Sequence, residues 1–180
     1  MKRAVFFDRD GVLNEAVVRD GVPHPPASVE DVRLVRGAAE SVNDVKRAGF
    51  LAIVVTNQPD VARGTATVAE VEAINAEIAA KTGIDAVYTC MHDDAGACDC
   101  RKPKPGLLQR AARDYGIDLH SSFMVGDRKK DVDCGRAAGC TTVFIDAGYG
   151  ETARDTGADA IVATLPEAVA AILQLASAPR

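Results

Sequence analysis

The segment FFDRDGVLN, residues Phe6–Asn14, joins a short apolar run to two acids spaced two residues apart. The run Ala4–Phe7 is continuously apolar, which predicts a strand buried on both faces. Side chains two apart in an extended chain point the same way, so Asp8 and Asp10 should project together. Their repulsion has to be offset by a shared proton or a cation. Taken alone, the two acids could simply begin a turn at Gly11.

Short apolar runs alternate with helical patterns along the rest of the chain. The predicted strands cover Ala4–Phe7, Leu51–Val55, Ala86–Tyr88, Phe123–Val125, Thr142–Ile145 and Ala160–Val162. The predicted helices lie near residues 37–48, 67–82, 105–115, 130–138 and 166–176. This alternation predicts an α/β fold, a doubly wound and mostly parallel Rossmann-like sheet with helices on both faces. The Pro-rich stretch Val22–Pro26 indicates a surface loop, and Leu175–Arg180 a helix end with a frayed terminus.

Several of these strands end next to polar side chains. Asp8 follows the first strand, Thr56 and Asn57 follow the second, and Asp127 follows the fourth. In an open α/β sheet, ligands bind at the carboxyl ends of the strands, where the strand order reverses. Clustered carboxylates there would suit Mg²⁺, which prefers hard oxygen ligands. The sequence therefore predicts that distant acids converge on one site.

The motifs around these residues resemble those of the haloacid dehalogenase-like phosphatases. Four motifs follow one another in order, and the resemblance runs from about residue 3 to 150: FFDRDGVLN, VVTNQ, RKPKPG and MVGDRKKD. The resemblance implies that Asp8 attacks phosphorus and forms an aspartyl-phosphate. It also implies that Asp10 protonates the leaving oxygen and then takes a proton from the hydrolytic water.

The same resemblance implies which residues hold the catalytic metal and which bind the phosphoryl oxygens. It implies catalytic Mg²⁺ held by Asp8, Asp127 and the backbone carbonyl of Asp10, with Asp131 behind them orienting Lys102 or a water. Thr56 and Lys102 would bind the oxygens of the transferring phosphoryl group. Because Asp8 is an anion that approaches another anion, the metal and Lys102 are needed to cancel the repulsion.

Three of the five cysteines combine with one histidine in the pattern Cys90-x-His92-x5-Cys98-x-Cys100. Three thiolates and an imidazole form a closed tetrahedral set, which predicts a structural Zn²⁺ in the loop 90–100. Reduced cysteines beside a surface histidine are the alternative, and a disulfide is a weaker one. The loop resembles that of the heptose bisphosphate and histidinol-phosphate phosphatases, which implies that no large cap domain is present. The remaining cysteines, Cys134 and Cys140, are interpreted as small buried hydrophobes.

Positive side chains cluster in or beside the motif loops, although the net charge is −5. They are Arg9, Arg63, Arg101, Lys102, Lys104, Arg128, Lys129 and Lys130. We expect a substrate with more than one phosphate, because arginine binds phosphate through two N–H groups. Lys129 and Lys130 are expected to be solvated. The predicted substrate-binding residues are Asn57, Gln58, Arg63, Arg101 and Arg128.

The resemblance implies a small phosphorylated sugar as substrate, with removal of the 7-phosphate of D-glycero-D-manno-heptose 1,7-bisphosphate. The alternatives are a histidinol-phosphate phosphatase and, from another class, a catalytically silent zinc-binding interaction module. The intact set Asp8, Asp10, Thr56, Lys102 and Asp127 argues against the silent module.

Composition and charge disfavour several other classes of protein. The chain has 180 residues, 47% hydrophobic and 26% charged, which suits one domain over residues 1–180. No run approaches the ~20 apolar residues of a membrane helix, and the apolar stretch near the N-terminus is too short for a secretory signal. We therefore expect a cytoplasmic protein, with a monomer as the default. The acidic charge and the scarcity of aromatic residues argue against nucleic-acid binding. His24 and His120 are expected to be solvated.

Overall fold

A computed structural model describes residues 1–19, 22–146, 148 and 153–177. The strands are β1 Arg3–Phe7, β2 Val17–Arg19, β3 Val22–His24, β4 Phe50–Asn57, β5 Ala86–Cys90, β6 Phe123–Gly126, β7 Thr141–Ile145 and β8 Ala160–Val162. The helices are α1 Ala38–Arg47, α2 Val68–Thr82, α3 Gly106–Tyr115, α4 Lys129–Ala138, α5 Ala153–Thr156 and α6 Leu165–Ser177, with 3-10 turns at Val29–Asp31 and Leu119–Ser121. Within this part of the chain, no helix combines the length and apolarity needed to span a bilayer. Residues 178–180, predicted to fray, lie outside the described residues.

Six strands form one parallel sheet in the order β5-β4-β1-β6-β7-β8. The chain leaves β1 toward β4 and β5 on one side and then crosses to β6 on the other side. The order therefore reverses beside β1, and a ligand site is expected at the carboxyl ends of β1 and β6. This topology confirms the predicted α/β class, with a sheet that is parallel throughout.

The helices cover both faces of the sheet because alternate side chains of each strand point in opposite directions. Val5 and Phe7 of β1 pack into a cluster with residues of α1, α2 and α6. Ala4 and Phe6 pack on the opposite face with residues of α3 and α4. Both clusters are fully buried around β1, so the first strand is held rigidly at the centre of the molecule.

Two local predictions differ from the structure. Thr56 and Asn57 lie inside β4 instead of following it, because pairing with β5 continues to the register Asn57↔Cys90. The predicted loop Val22–Pro26 is partly a strand, since β3 pairs antiparallel with β2. A two-stranded ribbon consists of edge strands alone, so a proline without an N–H group is tolerated there. No large cap domain accompanies this ribbon in the described residues.

Candidate active site and metal-binding loop

Three carboxylates meet where the strand order reverses. Asp8 follows β1 and Asp127 follows β6, and the backbone N–H of Asp8 donates to the carbonyl of Val125 over 2.9 Å. Asp131, in the first turn of α4, completes the group, and one carboxylate oxygen from each of the three lies within 4.8 Å of the others. Their exposed fractions are 7% for Asp8, 4% for Asp127 and 0% for Asp131. Three buried acids this close require compensating positive charge.

Two glycines allow the acids to come this close. Gly11 has a φ of 89°, and a Cβ atom at this position would lie 2.2 Å from Oδ2 of Asp127. Gly126 ends β6, and a Cβ atom there would lie 2.1 Å from the Cβ of Asp131. Any side chain at either position would push a carboxylate out of the site, so both positions require the smallest residue.

Lys102 supplies part of the compensating charge. Its Nζ lies 2.8 Å from Oδ1 of Asp8 and 2.7 Å from Oδ1 of Asp131. Burial alone would lower the pKa of Lys102, but the carboxylates of Asp131 and Asp8 outweigh it and raise that pKa above its ordinary value. The lysine is therefore charged, and its single charge contacts two of the three acids.

The negative charge that Lys102 leaves uncompensated fits a divalent cation. Oδ1 of Asp127 is buried without a hydrogen-bond partner in the part of the chain that the structure describes. Burial and the neighbouring Asp8 raise the pKa of Asp127 to about 8, so the nearby charges of Arg128 and Lys102 do not compensate this carboxylate fully. Asp131 already pairs with Lys102 and accepts the backbone N–H of Arg128 over 3.1 Å. Asp8 and Asp127 therefore suit Mg²⁺, with Asp131 behind them.

Asp10 lies beside this group and is held by three side chains. Its Oδ1 accepts from Nδ2 of Asn14 over 3.0 Å, and its Oδ2 accepts from Nε2 of Gln58 over 2.8 Å. Arg9 donates from Nε to both oxygens over 3.2 Å and from Nη2 to Oδ2 over 3.0 Å. Gln58 also donates to Oγ1 of Thr56 over 2.9 Å, so one amide connects Asp10 to the threonine.

A cavity of about 220 Å³ opens over these groups. Most of the predicted site residues line it, and they are Asp8, Asp10, Thr56, Asn57, Gln58, Arg63, Lys102, Asp127 and Arg128. Lys130 and the exposed His24 lie on the same wall. The cavity is therefore lined by buried acids, by Lys102 and by two arginines.

Three residues behave differently from the sequence-based expectation. The amide of Asn57 is committed to the backbone of Lys102, with one 3.0 Å hydrogen bond to the carbonyl and one from the N–H. We therefore interpret Asn57 as holding Lys102 in place. Arg101 pairs with Asp94 over 2.9 Å and donates to the carbonyl of His92 over 3.2 Å, so it faces the cysteine-rich loop. Arg9 was grouped with the cations expected to meet substrate but is 1% exposed, because its guanidinium turns inward to Asp10.

The four predicted zinc ligands lie together at the end of β5. The Sγ of Cys90 is 3.2 Å from that of Cys100 and 3.9 Å from that of Cys98. The Nδ1 of His92 is 3.5 Å from the Cys90 sulfur and 3.4 Å from the Cys100 sulfur. Tetrahedral zinc with Zn–S bonds of about 2.3 Å separates its ligand atoms by about 3.8 Å. The observed separations of 3.2–3.9 Å are close to that value, so the set could hold Zn²⁺, while zinc itself stays a prediction.

Replacing Cys98 with serine should reduce zinc content from about one ion per chain to less than about one-fifth. We expect kcat/KM to fall severalfold while Mg²⁺ dependence is unchanged, because Lys102 follows the last ligand by two residues, whereas Asp8 and Asp127 follow β1 and β6 and Asp131 lies in α4. Metal analysis of the purified variant, together with steady-state kinetics, checks both statements. Cys140→Ser, which alters a buried cysteine outside the loop, is the control. Unchanged zinc content in Cys98→Ser would contradict the ligand assignment.

Comparison with known proteins supports one family for this chain. Residues 99–170 match the family model described as "HAD-hyrolase-like". The D-glycero-beta-D-manno-heptose-1,7-bisphosphate 7-phosphatase of Pasteurella multocida is 35% identical over 82% of this chain and 84% of its own length. The enzyme of the same name from Escherichia coli K12 is 35% identical over 92% of this chain and 93% of its own. This chain belongs to the haloacid dehalogenase-like phosphatase family.

Solved structures agree with that assignment. A D,D-heptose 1,7-bisphosphate phosphatase from B. bronchiseptica, crystallised with magnesium and phosphate, superposes with a TM-score of 0.82. It is 28% identical and covers 97% of this chain and 99% of its own. Membership of the haloacid dehalogenase-like phosphatases confirms the prediction made from the four motifs, and the protein is a phosphatase.

The sequence reading of this haloacid dehalogenase-like phosphatase missed the residues that support Asp10. Arg9 and Asn14 lie within the first motif but were given no role in holding Asp10, and Asn75 lies outside all four motifs. Arg9 lies between the two motif acids and was grouped with the cations expected to face a phosphorylated substrate. Asn75 lies on the buried side of α2, where an asparagine is uncommon without a partner.

Proposed function

We propose that this phosphatase removes the 7-phosphate of D-glycero-β-D-manno-heptose 1,7-bisphosphate, in a Mg²⁺-dependent reaction that supplies nucleotide-activated heptose synthesis. The observation that carries the proposal is the identity of 35% over nearly the full length of relatives named for that reaction. The convergence of Asp8, Lys102 and Asp127 in one cavity supports the chemistry. We propose the β anomer as substrate because the names of both relatives specify it.

The first step is transfer of the phosphoryl group to the chain. A carboxylate oxygen of Asp8 forms a bond to phosphorus, and the bond between phosphorus and the sugar oxygen breaks. Asp10 donates its proton to that oxygen, so the oxygen leaves as an uncharged hydroxyl of the sugar 1-phosphate. Lys102 is already 2.8 Å from Asp8, and its charge offsets the approach of one anion to another.

The second step returns Asp8 to its starting state. Asp10, now a carboxylate, takes a proton from water while the water oxygen bonds to phosphorus. The bond between phosphorus and Asp8 breaks, and inorganic phosphate leaves. The partial exposure of Asp10, in contrast to the buried Asp8, suits a group that meets both a leaving oxygen and an incoming water.

The cations have separate roles in the proposal. Asp8, Asp127 and the carbonyl of Asp10 would hold Mg²⁺, which when bound neutralises charge on the phosphoryl oxygens. Arg63 and Arg128 line the side of the cavity and would bind the phosphate that is not transferred. The Zn²⁺ at Cys90, His92, Cys98 and Cys100 would be structural, since all four positions are filled by the protein.

Phosphate release from a small panel of substrates tests the assignment. The panel holds both anomers of heptose 1,7-bisphosphate, histidinol phosphate and 4-nitrophenyl phosphate, each with and without Mg²⁺. We expect kcat/KM for the β anomer to exceed that for histidinol phosphate at least about a hundredfold, or about 2.7 kcal/mol of transition-state preference. The α anomer is the matched control, because it differs in the orientation of one phosphate alone.

Three other outcomes of the panel would overturn part or all of the proposed function. A preference for histidinol phosphate would keep the mechanism and overturn the substrate. Equal activity with both anomers would overturn the anomer assignment. A folded, metal-loaded protein that releases phosphate from none of the compounds would contradict the proposed function.

A further inference from the structure

A buried hydrogen-bonded chain leads from Asp10 across the protein to β5. Arg9 pairs with Asp10 at 3.0 Å through Nη2 and donates from Nη1 to Oδ1 of Asn75 over 2.8 Å. Asn75, in α2, donates from Nδ2 to Oγ1 of Thr89 over 3.0 Å. The chain therefore links the loop after β1 to one helix and one strand on the far side of β4.

The direction of each hydrogen bond in this chain is fixed by chemistry. A guanidinium has donors and no acceptor, so Asn75 has to turn its oxygen toward Arg9. Its NH₂ group then faces Thr89, whose hydroxyl accepts. Both Arg9 and Asn75 are buried, at 1% and 8% exposure, so neither can replace a lost partner with bulk water at low cost.

Asp10 differs from Asp8, Asp127 and Asp131 in the groups that contact its carboxylate. Asp8 and Asp131 contact Lys102, and among the described residues Asp127 has an oxygen without a hydrogen-bond partner, which suits a metal. Asp10 instead accepts from the side chains of Asn14, Gln58 and Arg9, and the arginine cation contacts both carboxylate oxygens. Moving the guanidinium would therefore move the carboxylate.

We propose that Arg9, anchored by Asn75 and Thr89, is a positioning residue that sets the orientation of the Asp10 carboxylate for proton transfer. The inference rests on the proposed function, in which Asp10 is the acid and base. Arg9 touches no reacting atom in this role, since its guanidinium lies behind Asp10 and is closed off from solvent. The buried hydrogen bonds therefore fix the Asp10 carboxylate relative to α2 and β5.

Asn75→Leu tests the proposal, because leucine has a similar volume and offers no acceptor to Arg9. On the heptose bisphosphate we expect kcat to fall about thirtyfold, since a small misplacement of a catalytic group can cost up to about a hundredfold. KM should stay within about twofold. Thr82→Val is the matched control: it removes another buried polar group of α2, whose hydroxyl donates to the carbonyl of Ile78 in the last turns of the helix, away from Arg9.

A second readout separates positioning from a general structural role. The 4-nitrophenolate ion leaves without a proton, so transfer to Asp8 should stay fast in Asn75→Leu while the water step, which needs Asp10 as base, slows. Rapid mixing should therefore show a burst of one nitrophenol per active site followed by slow turnover. Thr89→Val keeps the bond between Asn75 and Arg9, and we expect it to give the same pattern with a loss of about threefold.

The outcomes distinguish this inference from the function on which it rests. Burst and steady state that fall in equal proportion, or a kcat within twofold of wild type, would overturn the positioning role. If Asn75→Leu does not fold, Thr89→Val decides: an unchanged kcat and no burst would overturn the proposal. A wild-type protein inactive on both substrates would instead overturn the proposed function, and this inference with it.

Discussion

Asp8→Asn is expected to abolish turnover, with a loss of at least about 10⁴-fold in kcat, because an amide cannot act as the nucleophile toward phosphorus. The protein should stay folded. Asp8 is one of three buried acids within 4.8 Å of each other, so removing its charge relieves repulsion, and Lys102 keeps its contact with Asp131. Phosphate release and thermal unfolding, measured on the same preparation, check the two statements.

A matched control for Asp8→Asn is Asp133→Asn in α4. Asp133 pairs with Lys129 at the surface, at 2.8 Å, and lies outside the cavity lining. Its kcat should stay within twofold of wild type, since surface ion pairs contribute little. A folded Asp8→Asn protein that retains more than about one-tenth of the wild-type rate would exclude Asp8 as the nucleophile.

Lys102→Met is expected to have the next largest effect. Loss of one positioned donor to a transition-state oxygen costs about 10²–10³ in kcat, and here the same residue also neutralises Asp8. The side chain of Lys102 is fully enclosed, so removing it leaves Asp131 as an unpaired buried charge. Removing one partner of a buried ion pair destabilises a protein by about 3–5 kcal/mol.

Steady-state kinetics measure the loss of kcat in Lys102→Met, and denaturant unfolding measures its loss of folding stability. Lys81→Met is the control, because it removes a lysine from an exposed pair with Glu77 on α2 and should change stability by less than about 1 kcal/mol. If Lys102→Met unfolds at the same denaturant concentration as Lys81→Met, the ion pairs with Asp8 and Asp131 contribute no net stability, and the electrostatic account of the site is wrong.

The sheet was predictable from sequence because its strands are buried on both faces. Continuous apolar runs such as Ala4–Phe7 and Phe123–Val125 have few other interpretations. Their carboxyl ends then had to meet, which placed Asp8 near Asp127. The cysteine-rich loop was predictable for a different reason, since four ligands within a short segment can reach one point without help from the rest of the fold.

The remaining features depend on contacts that sequence spacing does not encode. Thr56 lies within β4 because the partner strand continues, and nothing in the local residues marks that extension. The ribbon of β2 and β3 contains Pro23, which argues against a strand unless both strands are known to be edges. Arg9 is buried because Asn75, 66 positions away, accepts its N–H group. Such a partner is visible only in three dimensions.

The most direct test of the account is capture of phosphate on Asp8 itself. In Asp10→Asn the base of the second step is missing, so mixing this variant with Mg²⁺ and 4-nitrophenyl phosphate should trap the aspartyl-phosphate. Borohydride reduces an acyl phosphate to an alcohol and so converts Asp8 to homoserine, while a free carboxylate is unchanged. Trypsin, which cleaves after Arg3 and Arg9, then releases AVFFDR, in which Asp8 is the one acidic side chain.

The account predicts that mass spectrometry finds homoserine at Asp8 in most chains of Asp10→Asn, and in none when Mg²⁺ is omitted. An unmodified Ala4–Arg9 peptide, from protein that has released nitrophenol in the same sample, would contradict it.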